Sequence, residues 1–447
     1  MAERLVVVGG DAGGMAAASQ ARRRRPDLEI VALERGRWTS YSACGIPYLV
    51  AGDVARLDDL VTRDPQTFRD RHNIDVRTGH EATAVDLDAR RVEVRDHNHG
   101  RTFTLGFDHL HLATGATPVR PDLPGIDGPR IHGVQTLEDA AHLLEEAERC
   151  DAENVVVVGA GYIGLEMAEA FVRRGCPTVT VVEQGAEVMA TLDPDMGAMV
   201  GEAMRQFGIV VRTGTSVTGF EPGSVHTEDG RLPADLVVLG LGVAPASGLA
   251  AGAGLETGVK EAVVVDPRQR TSTEGVWAAG DCCQSFHLVS RRPVHLPLGT
   301  VANKQGRVAG VNLGGGYATF PGVVGTAVTK VCSTEVARTG LDEREATAAG
   351  LGYETARIES STRAGYFPGA GRITVKMVAE RRTGRLLGAQ IVGAEGAAKR
   401  IDVVATAVTA GLTVDQVVDL DLSYAPPFSP VWDPVLVAAR EVAKVVR

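Results

Sequence analysis

The chain has 447 residues, 44% of them apolar and 4% aromatic, with 53 glycines and a formal net charge of -10. That length exceeds one ordinary core, so several domains are expected, and the aliphatic, glycine-rich composition points to a turn-rich α/β protein. The acidic balance argues against nucleic-acid and membrane-surface binding, no apolar run reaches the ~18 residues of a membrane span, and Met1 to Gly9 lacks the apolar core of a signal peptide.

In chain order, "RLVVV" ending at Val8 reads as a buried parallel strand, followed by the turn "GGDAGG" and an alanine-rich helix from Met15 to Arg25. A second strand, "EIVALE", ends at Glu34. Next comes "TSYSACGIPYLVAG", Thr39 to Gly52, where Cys44 has no second cysteine four or five residues to either side. Gly45 and Pro47 suit a tight entry into a helix there. "FDHLHLATGATP", Phe107 to Pro118, is a strand running into a turn at Thr114 and Gly115.

The first arrangement then returns as "NVVVVGAGYIGLEMAEAFVRRG", Asn154 to Gly175, with "TVTVVE" ending at Glu183. Gly159, Gly161 and Gly164 form G-x-G-x-x-G between a strand and a helix, and Glu183 closes the next strand near the offset of ~20 residues that a dinucleotide unit requires. Glycines permit the tight turn, let a pyrophosphate approach the backbone and aim helix N-terminal amides at it. The carboxylate accepts ribose hydroxyls. It would repel a 2'-phosphate that Gln184 cannot compensate, so NADH is expected over NADPH. In the first copy Gly9 and Gly14 hold the outer positions and Glu34 closes the unit, but Asp11 occupies the middle. Its side chain is expected to turn toward the loop backbone.

"TSTEGVWAAGDCC", Thr271 to Cys283, is a short strand ending at Gly280 and Asp281, where a carboxylate can meet a ribityl hydroxyl or, through water, a phosphate. Cys282 and Cys283 read as packing residues, because adjacent cysteines bridge only with strain. Neither a C-x-x-C nor a His/Cys cluster suggests a metal, and unpaired cysteines fit a reducing cytoplasm. "VNLGGG", Val311 to Gly316, reads as the approach to a third domain, which from Gly325 shows antiparallel-sheet alternation and then helices at Ala397 to Ala410 and Val435 to Val446. Residues 396–411 form an amphipathic pattern read as an interface helix, hence a homodimer.

Together these motifs resemble the flavin-dependent pyridine nucleotide-disulfide oxidoreductases over nearly the whole chain. The resemblance implies two tandem Rossmann-like domains and a C-terminal α+β dimerisation domain, with residues 1–116 and 244–322 binding FAD, 117–243 binding NAD(P)H and 323–447 forming the interface. On it, Gly9, Gly13, Gly14, Glu34, Arg35, Thr114, Gly115, Gly280 and Asp281 would hold FAD. Gly159, Gly161, Tyr162, Ile163, Gly164, Glu183 and Gly242 would serve the nicotinamide nucleotide, with Tyr162 swinging off the flavin face to admit it.

The C-x-x-x-x-C of the usual disulfide reductases is missing. "SACGIPYLVAG", "HLPLGTVANKQGRVAG", "RAGYFPGA" and "YAPPFSPVWDPV" look instead like the single-cysteine branch of coenzyme A disulfide reductases, NADH peroxidases and NADH oxidases. A solitary cysteine cycles as a mixed disulfide or as a sulfenic acid, and its thiolate is expected to be favoured by a helix N-terminus or by the flavin. Ala12 replaces the histidine of the peroxidases and oxidases, which favours the coenzyme A branch. By resemblance Cys44, Tyr366 and Tyr424 are catalytic, the tyrosines reaching the cysteine from the partner subunit, while Gln20, Arg23 and Ser40 line the coenzyme A channel. Ala43, where that branch often has asparagine, leaves the disulfide open. The alternatives are an oxidase or peroxidase, a per/polysulfide reductase, and a non-catalytic NADH-sensing flavoprotein that binds a partner.

Overall fold

Strands apolar on both faces need cover on both sides, and helices supply it. In the computed structural model, which describes residues 3–446, a five-stranded parallel sheet runs in the order Asp75–Thr78, Glu29–Glu34, Arg4–Val8, His109–Leu112, Val276–Ala278. The first helix spans Ala12–Arg24 and so begins before the expected Met15. Gly13 and Gly14, poor helix formers by propensity, are carried inside its first turn.

A second parallel sheet orders Val210–Arg212, Thr178–Val182, Asn154–Val158, Leu236–Leu239, Ile131–Gly133. The chain enters and leaves this unit along an antiparallel ribbon, Ala116–Pro118 against Val243–Pro245. The C-terminal sheet is antiparallel, in the order Ala327–Val331, Thr334–Gly340, Leu386–Gly393, Arg372–Glu380, Tyr353–Ser361. The α/β class, with two Rossmann-like units and a C-terminal α+β domain, is the one expected. Sequence reading did not anticipate two small three-stranded sheets, one built from residues 80–106 and one from 217–233.

The helix read as an interface element requires correction. Ile401–Ala410 turns Ile401, Val404, Ala407 and Val408 into the core of its own domain and leaves Asp402, Thr406 and Thr409 outside. An apolar stripe at helical spacing needs cover, but spacing does not say whose. The large apolar side chains left exposed in this domain are elsewhere: Val328, Val445 and a group comprising Tyr366, Tyr424, Phe428, Val431 and Trp432. The last helix is Pro434–Ala443, shorter than expected, and Asp433 caps it by accepting the Val435 N–H at 2.9 Å.

Val311 to Leu313 do not begin a linker; they end the helix Gly299–Leu313. That helix lies against Ala12–Arg24 with almost no side chain between them. A Cβ on Gly306 would sit 2.3 Å from the Gly13 carbonyl oxygen, and one on Gly310 would sit 2.4 Å from that of Ala17. Gly306→Val therefore separates two helices under the first nucleotide unit, and a loss of about 1–3 kcal/mol is expected. Thermal denaturation against Gly252→Ala, a helical glycine with open space around it, measures the difference.

Candidate active site

Each glycine loop is tight because backbone meets backbone. A Cβ on Gly9 would lie 2.0 Å from the Ala113 oxygen and one on Gly14 would lie 1.9 Å from the Gly9 oxygen. In the second unit, Cβ atoms on Gly159 and Gly164 would lie 2.5 and 2.0 Å from the Gly240 and Gly159 oxygens. The strand-ending acids brace these turns in the same way. Glu34 accepts the Gly10 and Gly36 N–H groups at 2.8 and 2.7 Å, and Glu183 accepts those of Ala160 and Gly185 at 2.8 and 2.7 Å. Both loops open onto one continuous cleft of about 2130 Å³.

Asp11 turns its carboxylate to the backbone, accepting the Tyr41 N–H at 3.2 Å. Burial pushes its pKa up to about 6 against that hydrogen bond, and Glu34 adds to the rise. This contact also anchors the segment before Cys44. Ser40 donates its N–H to the Gly10 carbonyl at 3.0 Å and takes up φ 51°. Cys44 then stands in a 3-10 turn, Ala43–Gly45, leading into the helix Ile46–Ala51 with Pro47 in its first turn. Gly45 fits where a Cβ would come 2.2 Å from Leu60 Cδ2.

The thiol is exposed to the cleft, yet the protein by itself does not favour the thiolate. Partial burial pushes the Cys44 pKa up, and the carboxylates of Glu166 and Asp281 push it the same way. The activation expected from a helix N-terminus or from the flavin is therefore not supplied by the charged groups around the thiol, and the helix that follows has six residues. Glu166 is a charged side chain on the cleft beside Cys44 that sequence reading missed. It lies one turn beyond Tyr162 on the helix Tyr162–Arg173, so the i, i+4 spacing was the available signal.

Of the expected cofactor contacts, all except Gly14 and Gly164 border the cleft; those two lie beneath it, where helix meets strand. Thr114 spends its hydroxyl on the Ala246 carbonyl at 2.6 Å, and Gly280 donates its N–H to Gln305 at 2.9 Å. Gln20, Arg23 and Ser40 do not line the cleft. Tyr366 and Tyr424 also lie outside it, exposed and side by side, the Tyr366 hydroxyl raising the Tyr424 pKa. Cys282 and Cys283 are buried free thiols 3.7 Å apart.

Asp281 tests the fit to a flavin nucleotide. Its Oδ1 is buried without a protein partner and burial lifts its pKa to about 6, so an acceptor faces the cleft awaiting a hydroxyl donor. Together with a backbone cradle that admits no side chain, this fits a protein that holds two nucleotides, with a hydroxyl-bearing one such as a flavin nucleotide beside Asp281. Residues 3–306 match the pyridine nucleotide-disulphide oxidoreductase family and residues 326–434 match that family's dimerisation domain. The chain belongs to this family and uses FAD and NAD(P)H.

Among curated relatives, it is 38% identical to the NAD(P)H sulfur oxidoreductase (CoA-dependent) of Pyrococcus furiosus over 98% of both chains. It is 29% identical to the coenzyme A disulfide reductase of Staphylococcus haemolyticus over 95% of this chain and 96% of the other. Among solved structures, the NAD-dependent persulfide reductase from A. fulgidus superposes with a TM-score of 0.95 at 40% identity, over 99% of this chain and 83% of that one. The reduced CoADR-RHD of Bacillus anthracis superposes at 0.97 and 32% identity, over 100% and 81%. Among the described residues no helix is long and apolar enough to cross a membrane.

Two outcomes follow from the carboxylates. The Asp281 pKa is higher folded, about 6, than its ordinary 3.8, so its contribution to stability is full below that ordinary value and is lost as pH rises through about 6. Asp281→Asn should therefore raise the melting temperature of the FAD-free protein at pH 8, with the gain vanishing near pH 4, while weakening FAD retention. Removing the neighbouring charge by Glu166→Gln should shift the alkylation of Cys44 in FAD-free protein to lower pH, as followed by site-resolved mass spectrometry.

Proposed function

We propose that this oxidoreductase passes electrons from NADH through FAD and Cys44 to the sulfur–sulfur bond of a small coenzyme A-linked substrate, with coenzyme A disulfide as the first candidate. The observation that carries the reading is a lone cysteine, with no partner thiol to form an internal disulfide, standing in the same cleft as both nucleotide loops. Such a thiol can store oxidation only by binding a sulfur from outside or by forming a sulfenic acid. Ala12, on the cleft where the peroxidases and oxidases have histidine, offers no proton for peroxide chemistry.

FAD supplies the step from nicotinamide hydride to a pair of electrons that sulfur can accept. Cys44 holds one coenzyme A half as a mixed disulfide. Two electrons and a proton cleave that bond, leaving the Cys44 thiolate and one coenzyme A thiol. The thiolate then attacks the next disulfide, forms the mixed disulfide again and expels a second coenzyme A thiolate, which the partner subunit's Tyr424 protonates. Tyr366 and Tyr424 on the exposed apolar face of the dimerisation domain support a homodimer. We assign Gln20, Arg23 and Ser40 to the outer, phosphate-bearing part of coenzyme A; among the described residues Arg23 donates only to Gln20, at 3.4 Å. Glu183 beside Gln184 favours NADH, and six free cysteines suit a reducing cytoplasm.

A second reading, reduction of a coenzyme A persulfide or polysulfide, is favoured by the higher identity to the sulfur and persulfide reductases and by Ala43. Anaerobic NADH oxidation with coenzyme A disulfide, cystine, polysulfide and peroxide offered in parallel separates these substrates. In the same assay Cys44→Ser should keep flavin reduction by NADH and lose turnover. Turnover of coenzyme A disulfide by that variant at the normal rate refutes the proposal.

A further inference from the structure

Sequence position gives no hint that the C-terminal domain touches the nicotinamide unit, yet a set of buried charged and polar side chains joins them at one segment, residues 189–195. Arg338, on the strand Thr334–Gly340 and only 8% exposed, donates to the Thr191 carbonyl at 2.6 Å and to the Gly340 carbonyl at 2.8 Å, and pairs with Glu345 at 2.5 Å. Gln390 grips Asp193 from both sides, accepting its N–H and donating to its Oδ2, each at 2.7 Å. Lys376 reaches Asp193 at 3.0 Å and Asp195 at 2.7 Å. Lys376, Asp193 and Gln390 are all buried.

The other side of this segment faces the nucleotide machinery. Met189, held at φ 56°, donates its N–H to the Ala160 carbonyl in the second glycine loop at 2.8 Å. Thr191 and Tyr162 both border the cleft with Arg338, and their two hydroxyls are buried facing each other, the Thr191 hydroxyl being the side-chain partner within reach of the Tyr162 hydroxyl. Tyr162 is therefore packed against Thr191, so its position is set by what stands behind it. What stands behind it is fixed from the C-terminal domain.

We infer that Arg338 is a positioning residue for the NADH half-reaction: by fixing residues 189–193 it sets the second glycine loop and the resting place of Tyr162. This rests on the reading of Tyr162 as the side chain that covers the nicotinamide site. Losing a charge-assisted hydrogen bond to the segment should raise the KM for NADH about tenfold. The experiment uses the FAD-loaded dimer and follows flavin reduction by NADH and reoxidation by disulfide separately in a stopped-flow instrument. For Arg338→Met the expected result is a raised NADH concentration dependence, with the limiting reduction rate and the reoxidation rate within about twofold of wild type, the scatter of a near-neutral change.

Thr191→Val, which removes one hydroxyl and leaves the charged cluster whole, should alter NADH dependence in the same half-reaction even if Arg338→Met folds poorly. In a Tyr162→Ala background the effect of Thr191→Val should disappear. If Tyr162→Ala alone leaves NADH reduction unchanged, the reading of Tyr162 fails. If Tyr162→Ala changes it but Thr191→Val has no effect, or the two effects simply add, the positioning role fails.

Discussion

The structure depends on turns in which backbone lies directly on backbone. At Gly9, Gly14, Gly159 and Gly164 any side chain would collide with a carbonyl oxygen of the adjoining turn, so strand, loop and helix meet at a distance that only glycine allows. A strand-ending glutamate secures each loop by accepting one of its amides. A preformed cradle of this kind binds a pyrophosphate without reordering the backbone, and its entropy cost is met during folding. Because the chain builds the cradle twice and opens both onto one cleft, two nucleotides can meet over a common space.

Cys44 depends on the same frame. Its segment hangs from the first glycine loop through Ser40 and Asp11, so the thiol is positioned by the loop we assign to the flavin nucleotide. The electrostatics run against activation by the protein alone, since burial and the carboxylates of Glu166, Asp281 and Asp11 all raise the thiol pKa.

The dimerisation domain also has two faces. Its exposed aromatic and apolar side chains, from Tyr366 to Trp432, form a surface that monomers seldom leave open. Its other face locks onto the second nucleotide unit through Arg338, Lys376 and Gln390, with further ties from Thr329 to Glu166 and from the Cys332 N–H to Glu169. Buried ion pairs cost desolvation and add little net stability, but breaking one side is costly, so they fix geometry well. The domain is thus a fixed wall of the cleft as well as an attachment surface.

The sequence by itself determined what rests on local rules. Strand-loop-helix order, the two glycine signatures, Glu34 and Glu183, and the isolation of Cys44 were legible because each depends on residues close together in the chain. Helix propensity misjudged the start of the first helix, and amphipathic spacing misassigned the helix at 401–410, because a stripe shows only that a face is covered. Tertiary structure alone decided that both loops share one cleft, that Glu166 and Asp281 oppose the Cys44 thiolate, and that Arg338 sits behind Thr191. Those pairings join residues more than a hundred positions apart, and no periodicity encodes which distant charge will be buried beside which.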